Sequence, residues 1–236
     1  MNHGEANRQA RQTILRSIRD HLAASTATDT IYNEIKLNDH VAWSGDESGA
    51  KATNTYSLVD LFRESLEAVD GHCIVVESEA EAVQALRGII SDLRETPLRA
   101  RRIALSDAPL VQQLVSQLDL DFEDVSVVKD AGHMFSYDVG ITSAQKAIAE
   151  TGTLVLDSNS ERHRLASLLP PVHIAIIDAS QICLTLGEAL AHIHQDDGEL
   201  SATITFITGP SRTADIELTL AIGVHGPQRL YVIVNL

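Results

Sequence analysis

Short apolar runs alternate with longer stretches of helical periodicity along most of this chain. The apolar runs are rich in β-branched residues, which is typical of buried strands, and the stretches between them carry apolar residues three or four positions apart. This alternation predicts βαβ units and therefore an α/β fold with a doubly wound, mostly parallel sheet. The predicted strands are residues 72–76, 102–105, 125–128, 153–156, 173–177, 202–208 and 230–234. The predicted helices are residues 57–69, 78–93, 109–118, 142–149, 162–168, 180–194 and 216–222.

The first quarter of the chain has a different pattern. Residues 6–24 carry one modest apolar stripe between arginines and predict a helix. Residues 25–56 are rich in Thr, Asn, Asp, Ser and Gly and predict a long polar connector with little regular structure. We therefore expect two parts, an N-terminal helix and connector at residues 1–56 and an α/β domain at residues 57–236.

Composition and charge narrow the class of partner. The chain has 236 residues, of which 44% are hydrophobic and only 4% aromatic, a mixture that suits buried parallel strands under Ala/Leu-rich helices. Its 18 basic and 33 acidic residues leave a net charge of -15, which disfavours nucleic acid and anionic lipid as partners. We find no apolar run of membrane-spanning or signal-peptide length, so we expect no membrane span and a cytoplasmic location.

The two cysteines, Cys73 and Cys183, both lie in apolar surroundings and neither has a neighbour at a metal-ligand spacing. An iron–sulfur cluster needs about four thiolates, so this chain cannot hold one alone. No HExxH motif or Cys/His cluster is present either. The sequence predicts no protein-bound metal and two buried structural cysteines.

The first candidate site is the turn after the predicted strand 202–208. Gly209 permits close approach of the backbone, Ser211 and Thr213 offer hydroxyls, and Arg212 offers a fork suited to carboxylate or phosphate. A helix after the turn would aim free N–H groups at such an anion. The alternative is a capped helix start, although a cation near a positive helix end favours a ligand site. The predicted ligand-binding residues here are Thr208, Gly209, Pro210, Ser211, Arg212, Thr213, Asp215 and Glu217.

The second candidate site is the run Glu150, Thr151, Gly152 and Thr153, just before a predicted buried strand. Glu150 is a candidate catalytic residue, as general base, nucleophile or ligand for a substrate hydroxyl, and the next three residues would line the site. The alternative, equally weighted, is a helix C-terminus with the glycine as stop residue.

The third candidate site is a turn that contains His225, a candidate acid/base group, and Gly226, a candidate ligand-binding residue. The alternative is a structural turn histidine. Among the other histidines, His133 falls in a loop-like stretch that could line the same cleft. We expect the remainder at the surface or at the ends of elements, namely His163, His173, His192 and His194.

The C-terminal two-fifths of the chain resembles the LUD domain family, and within it the stand-alone lactate utilization proteins of type C. The matching segments, in order, are Gly-Ile-Thr at 140–142, Ala-Ile-Ala-Glu-Thr-Gly-Thr-Leu-Val at 147–155, Leu-Pro at 169–170, His-Ile at 173–174, Ile-Thr-Gly-Pro-Ser-Arg-Thr-Ala-Asp-Ile-Glu at 207–217 and Gly-Val-His-Gly-Pro at 223–227. The ordered string is far more specific than any one segment.

The resemblance implies a fold grouped with the NagB/RpiA/CoA-transferase-like proteins and a role in oxidising L-lactate to pyruvate. It implies iron–sulfur lactate utilization proteins as partners, with the clusters in those partners and no cofactor bound by this chain. The matching positions carry over as candidate site residues without assigned catalytic roles. Three hypotheses remain: a cluster-free subunit of this system, a self-sufficient CoA-transferase-like enzyme with Glu150 as nucleophile, and a non-catalytic assembly or regulatory module.

Overall fold

The computed structural model describes Arg16 and residues 50–127, 134–158, 165–196, 203–214, 220–222 and 226–236. The chain divides into two compact units, Met1–Glu47 and Ser48–Leu236. Apart from Arg16, the described residues all belong to the second unit. The predicted helix at 6–24 and nearly all of the predicted connector therefore lie outside them, and the predicted division at residue 57 stays a prediction.

Helices and strands alternate in the second unit as the sequence pattern predicts. The helices are α1 (Ala50–Ala68), α2 (Glu79–Arg94), α3 (Pro109–Ser116), α4 (Leu165–Leu168) and α5 (Leu186–Asp196), with 3-10 turns at Met134–Ser136 and Ala179–Gln181. The strands are β1 (His72–Val76), β2 (Arg102–Leu105), β3 (Asp124–Val127), β4 (Val139–Ser143), β5 (Lys146–Ile148), β6 (Thr153–Asp157), β7 (Val172–Asp178), β8 (Ile182–Cys183), β9 (Ile204–Thr208), β10 (Arg212–Ala214), β11 (Leu220–Ile222) and β12 (Arg229–Asn235).

Six strands form one parallel sheet in the order β1-β12-β7-β4-β2-β3. A four-stranded sheet has the order β8-β5-β6-β9, in which β5 and β8 are parallel and the other neighbours antiparallel. Strands β10 and β11 form a separate antiparallel pair. The predicted α/β class with a mostly parallel sheet is confirmed.

The parallel sheet is buried on both faces, and strand β7 shows how. Ile174 and Ile176 pack with α2 and α3, whereas Ala175 and Ile177 pack with α1 and the four-stranded sheet. Side chains of a strand alternate between faces, so a strand covered on both sides reads as a continuous apolar run. The result is a layered molecule with helices on one face and α1 plus the smaller sheet on the other.

Local signals place two helix starts correctly. The Ser78 side chain accepts a hydrogen bond from the Glu81 backbone N–H at 3.3 Å, and Pro109 occupies the first turn of α3. Helix α1 begins at Ala50, so Ser57 lies within the helix and does not cap it.

One predicted helix is wrong and two others are wrong in part. Residues 142–149 form the end of β4 and the short strand β5, because pairing of β4 with β2 and β7 overrides the high helix propensity of the alanines. The predicted helix 180–194 is confirmed over residues 186–194, which belong to α5, whereas residues 180–183 form the end of a 3-10 turn and strand β8. Of the predicted helix 216–222, the described residues 220–222 form strand β11, which pairs with β10, and residues 216–219 lie outside the described ranges.

Candidate functional site

The turn at residues 150–153 joins the antiparallel strands β5 and β6. Gly152 has a φ of 62°, and a Cβ there would meet backbone atoms of Ser65 and Leu66 on α1. Only glycine accepts both the left-handed backbone and this close approach. The Glu150 side chain is exposed, and its backbone N–H donates to the Leu184 carbonyl at 3.2 Å. The alternative that Gly152 stops a helix is wrong, because the turn belongs to a β-hairpin.

The turn at residues 208–212 follows β9 and also packs on α1. Gly209 has a φ of 71°, and a Cβ there would lie 2.6 Å from the Val69 carbonyl oxygen. The Ser211 backbone N–H donates to the Pro227 carbonyl at 2.8 Å. Arg212 then begins strand β10, so within the described ranges the turn leads into a strand and not into the N-terminus of a helix. Both the helix-based anion site and the helix-capping alternative are therefore wrong in their structural premise.

A row of threonine hydroxyls joins the two turns. Thr153 pairs with Thr208 across β6 and β9, and their Oγ1 atoms lie 2.7 Å apart. Thr151 Oγ1 lies 2.7 Å from Thr153 Oγ1 on the other side. Three hydroxyls hold three protons and use two in this row, so one donor remains for water or a ligand. Thr153 is buried, whereas Thr151 and Thr208 are exposed, so the free donor faces solvent at one end.

Arg212 forms an ion pair with Asp70, a residue that the sequence analysis does not single out. Asp70 has a φ of 63° and ends α1 in a Schellman arrangement, in which its own N–H bonds to Glu67 and that of Gly71 bonds to Leu66. A cation beside a helix C-terminus also complements the helix dipole. The side chains of Arg212 and Asp70 are 39% and 76% exposed, so the pair holds its geometry only weakly.

We call residues 150–153 and 208–212 together with Asp70 the glycine-turn cluster. Gly226 belongs beside it, since a Cβ there would lie 3.1 Å from the Ser211 Cβ. Pro210 is half-buried within the second turn, and Thr213 pairs with Ala221 through β10 and β11. Four further candidates lie outside the described residues: Asp215, Glu217, His225 and His133.

The glycine-turn cluster lies at the amino edge of the parallel sheet. Asp70 immediately precedes β1, and Pro227, the partner of Ser211, precedes β12, the neighbour of β1. Ligands of open α/β sheets usually bind beyond the carboxyl ends of the parallel strands. The 208–212 turn does not lie there, because β9 belongs to the smaller sheet and pairs antiparallel with β6.

His173 is wholly buried in β7 and does not lie at the surface, contrary to expectation. Its Nε2 lies 2.8 Å from Thr142 Oγ1, and its Nδ1 has no hydrogen-bond partner among the described residues. Burial lowers the pKa of His173 to about 3, because a charged ring would have a second N–H unsatisfied and no water around it. The ring is therefore neutral, and it joins the 140–142 and 173–174 segments through one hydrogen bond.

Both cysteines are held as thiols. Burial raises the pKa of Cys73 to about 12, with Arg63 opposing and Glu67 adding to the shift. Burial also raises the pKa of Cys183, whose Sγ donates to the Ala147 carbonyl at 3.2 Å. Cys73 is half-buried rather than fully buried as predicted. Within the part of the chain that the structure describes, no group of three or more His, Cys, Asp or Glu side chains is arranged to hold a metal ion.

No helix among the described residues combines the length and apolar character needed to cross a membrane.

The fold and the ordered segments of the glycine-turn cluster match one known family. The LUD domain model matches residues 59–234, which is most of the chain, and the chain belongs to the LUD domain family. The crystal structure of a DUF162 family protein from Deinococcus radiodurans has a similar fold, with a TM-score of 0.53 at 23% identity over 76% of this chain and 97% of that one.

Several curated relatives are named lactate utilization protein C. The one from Shouchella clausii is 45% identical over 101 residues, 42% of this chain and 44% of its own length. The one from Oceanobacillus iheyensis is 29% identical over 187 residues, 73% of this chain and 80% of its own length. The match to the Shouchella clausii protein thus spans less than half of that relative.

Proposed function

We propose that this chain takes part in lactate utilization, as a cluster-free subunit of a cytoplasmic system that oxidises L-lactate to pyruvate. Family membership and the relatives named lactate utilization protein C support the role. The oxidation releases two electrons and two protons, and two thiols on separate elements do not suffice for a cluster that takes about four. In this proposal the electrons pass to partner proteins that carry iron–sulfur clusters.

The glycine-turn cluster is the proposed site for the substrate carboxylate. The observation that carries this assignment is the hydrogen bond between Thr153 and Thr208, 55 residues apart, which unites two of the family's segments in one place. A 2-hydroxy acid presents a carboxylate and a hydroxyl. Arg212 suits the carboxylate, and the free donor of the threonine row suits the hydroxyl.

An anion that binds Arg212 must compete with Asp70 for the guanidinium group or share it. An exposed arginine–carboxylate pair contributes little free energy, so a second carboxylate can replace Asp70 or share the guanidinium with it. Inorganic phosphate has the same complementarity to the arginine fork. The two anions must therefore be compared in the same experiment.

The first test measures L-lactate and inorganic phosphate binding to the full chain by calorimetric titration. We expect Arg212→Gln to weaken binding of the preferred anion about tenfold or more, because a charge-assisted hydrogen bond to the carboxylate is lost. Arg63→Gln is the matched control, since Arg63 is also exposed, lies on α1 and pairs with one aspartate, Asp60, at 2.7 Å. It should leave the affinity unchanged.

The corresponding test in cells is growth on L-lactate as sole carbon source after replacing the chromosomal gene with each variant. Arg212→Gln should abolish this growth and Arg63→Gln should support it. A folded Arg212→Gln protein that binds lactate normally and supports growth would show that the carboxylate binds elsewhere.

A separate measurement addresses the subunit role. The tagged chain is captured from lactate-grown cells, and the recovered material is assayed for iron and for lactate-dependent dye reduction. Co-recovery of iron–sulfur proteins with activity is the expected result. A solitary chain with no dye reduction in lactate-grown cells would contradict the subunit assignment even if lactate binds.

The exposed Glu150 carboxylate at the edge of the cluster also permits a second function, a CoA-transferase-like enzyme with Glu150 as nucleophile. In such an enzyme the Glu150 carboxylate would attack acyl-CoA to form an acyl–glutamyl anhydride and CoA thiolate, and the thiolate would attack the glutamyl carbonyl to give a glutamyl–CoA thioester and the free acid. Hydroxylamine in the presence of acyl-CoA would inactivate this enzyme. An unmodified Glu150 after this treatment, read by mass spectrometry, would exclude it. If the chain is a non-catalytic assembly module, the Glu150→Gln variant would still bind its partner proteins and would support growth on L-lactate as well as the wild type does.

A further inference from the structure

We propose that a second pocket, lined by four arginines, binds the diphosphate group of a small organic molecule. The pocket has a volume of about 550 Å³ and is lined by Arg94, Arg99, Arg101 and Arg102 together with Glu123 and Asp138. It shares no residue with the glycine-turn cluster. It lies at the amino ends of β2, β3 and β4, at the opposite side of the sheet from β1.

The charge of this pocket is opposite to that of the chain. The net charge of the whole chain is -15, yet four of its 18 basic residues line one concavity against two carboxylates. Like charges held together repel one another, and an anion in the pocket removes that repulsion. The pocket therefore concentrates positive potential on a chain whose net charge is negative.

Both carboxylates are already engaged in holding the arginines in place. Asp138 accepts the backbone N–H groups of Arg101 and Arg102 at 2.9 and 3.0 Å. Glu123 lies 3.6 Å from the Arg101 guanidinium and 3.4 Å from that of Arg102. Asp138 thus fixes the entry to β2, and Glu123 pairs with two of the four guanidinium groups.

Arg94 and Arg99 supply the remaining positive charge. The Arg94 guanidinium lies over the Phe122 ring, 5.1 Å from its centroid, and donates to the Asp121 carbonyl at 2.5 Å. Its Nε is buried and has no hydrogen-bond partner among the described residues. Arg99 is exposed and, within the described ranges, pairs with no carboxylate.

The backbone is strained at Arg99, one of the residues that line the pocket. Arg99 and Ala100 have φ angles of 61° and 46°, two consecutive left-handed residues of which neither is glycine. The Ala100 side chain is fully buried and anchors the turn. Such strain persists only where the surrounding structure imposes it, and here it sets Arg99 between Arg94 and Arg101 at the pocket.

The pocket geometry selects the class of ligand. An arginine fork matches phosphate oxygens in pairs, and several arginines together suit a diphosphate better than a single carboxylate. A volume of about 550 Å³ is in the range of small-molecule sites and exceeds what lactate fills. Phe135, 82% exposed and next to the pocket residue Ser136, provides an aromatic surface on which a nucleobase can stack.

The test is calorimetric titration of the full chain with inorganic pyrophosphate and, separately, with ADP. We expect both to bind, and to bind more weakly as salt concentration rises. Arg99→Gly should weaken both about tenfold without lowering Tm, because glycine accepts the left-handed backbone that arginine strains. Arg87→Gln, an exposed arginine on α2 outside the pocket, is the control and should change neither affinity.

Two further variants identify the source of the diphosphate. If the natural ligand is a nucleotide, Phe135→Ala weakens ADP binding severalfold and leaves pyrophosphate binding unchanged. If the diphosphate belongs to another organic molecule, Phe135→Ala affects neither. Arg99→Lys keeps the charge but loses the fork, so it should fall between the wild type and Arg99→Gly.

A chain that binds neither compound overturns the proposal, as does an Arg99→Gly variant with unchanged affinity for both. In either case, loss of partner proteins from the captured complex in Arg99→Gly would assign the pocket to an acidic protein surface instead. The result is independent of the lactate titration, because Arg212 and Arg99 belong to different sites.

Discussion

Two left-handed glycines determine how closely the candidate site approaches α1. Gly152 and Gly209 each place backbone atoms where a side chain would collide with the last turn of that helix. Sequence reasoning finds both glycines but assigns them to a helix stop and to ligand approach. Their partner turns out to be the protein's own helix, which positions Asp70 beside Arg212.

We predict that Gly152→Ala lowers the free energy of unfolding by about 2–4 kcal/mol, from the left-handed strain and the clash with Leu66 together. Gly88→Ala is the matched control, since Gly88 lies inside α2 with open space around it. That variant should gain about 0.5–1 kcal/mol from helix propensity. Urea unfolding of both would settle the point, and equal effects would contradict the close packing on α1.

The buried imidazole of His173 links stability to pH. The folded-state pKa is about 3 and the ordinary value 6.5, so below pH 6.5 the unfolded chain takes up a proton that the folded chain refuses. Folding stability from this group is thus complete above pH 6.5 and declines as pH falls from there towards 3. Each pH unit in this window costs about 1.4 kcal/mol.

We predict that His173→Gln, which keeps a hydrogen-bonding group for Thr142, unfolds with a shallower pH dependence than the wild type. When the pH is lowered from 7.5 to 5.0, the wild type should lose about 2 kcal/mol more of its free energy of unfolding than the variant does, as measured by denaturant titration. The contribution of the carboxylates is the same in both proteins and cancels in this comparison. If the free energies of unfolding of the two proteins have the same pH dependence, His173 is charged or solvated in the folded state.

At the scale of elements, the correct assignments rest on local signals and the wrong ones on propensity. Helix α2 has its N-cap serine, acidic first turn and Arg94 in the last turn, all readable in the sequence. Residues 142–149 and 216–222 are apolar with helical spacing, but strand pairing decides the structure of their described parts: β4 pairs with β2 and β7, β5 with β6 and β8, and β11 with β10. Short apolar runs do not distinguish a buried helix from a strand, so pairing decides.

We predict that Ser78→Ala costs about 1 kcal/mol of stability by removing the acceptor for the Glu81 N–H. Ser116→Ala serves for comparison, because that exposed serine only donates to the Gln113 carbonyl at the end of α3. Its effect should stay within about 0.5 kcal/mol. The free energy of unfolding of both variants is measured by thermal and urea denaturation. If Ser78→Ala does not change it, Glu81 and the helix dipole alone stabilise the start of α2.

At the scale of the whole molecule, both proposed anion sites lie at the amino edge of the parallel sheet. Helices that follow parallel strands start at the carboxyl edge and end at the amino edge, so α1 and α2 bring the negative ends of their dipoles to both sites. An anion there needs side-chain cations, which explains why the sites depend on arginines and not on helix N-termini.

The carboxyl edge of the sheet has the opposite character. A small cavity of about 160 Å³ there is lined by Glu79 and Asp178, and Asn235 donates to Asp178 at 3.0 Å. Hydrogen bonds from Gln117 and Gln113 lower the pKa of Glu79, which keeps this edge negative. The usual ligand position of a doubly wound sheet is therefore unsuited to an anion in this protein.

The sequence by itself determined the α/β class, the family, most strands of the parallel sheet and the identity of the glycine, threonine and arginine residues of the cluster. Periodicity and capping carry that information because they depend on neighbours a few residues away. The tertiary structure was needed to show that 150–153 and 208–212 are adjacent, that Asp70 faces Arg212, and that the arginines of residues 94–102 line a pocket with Glu123 and Asp138. These contacts join residues tens of positions apart, and their geometry follows from strand order and register, which no local pattern encodes.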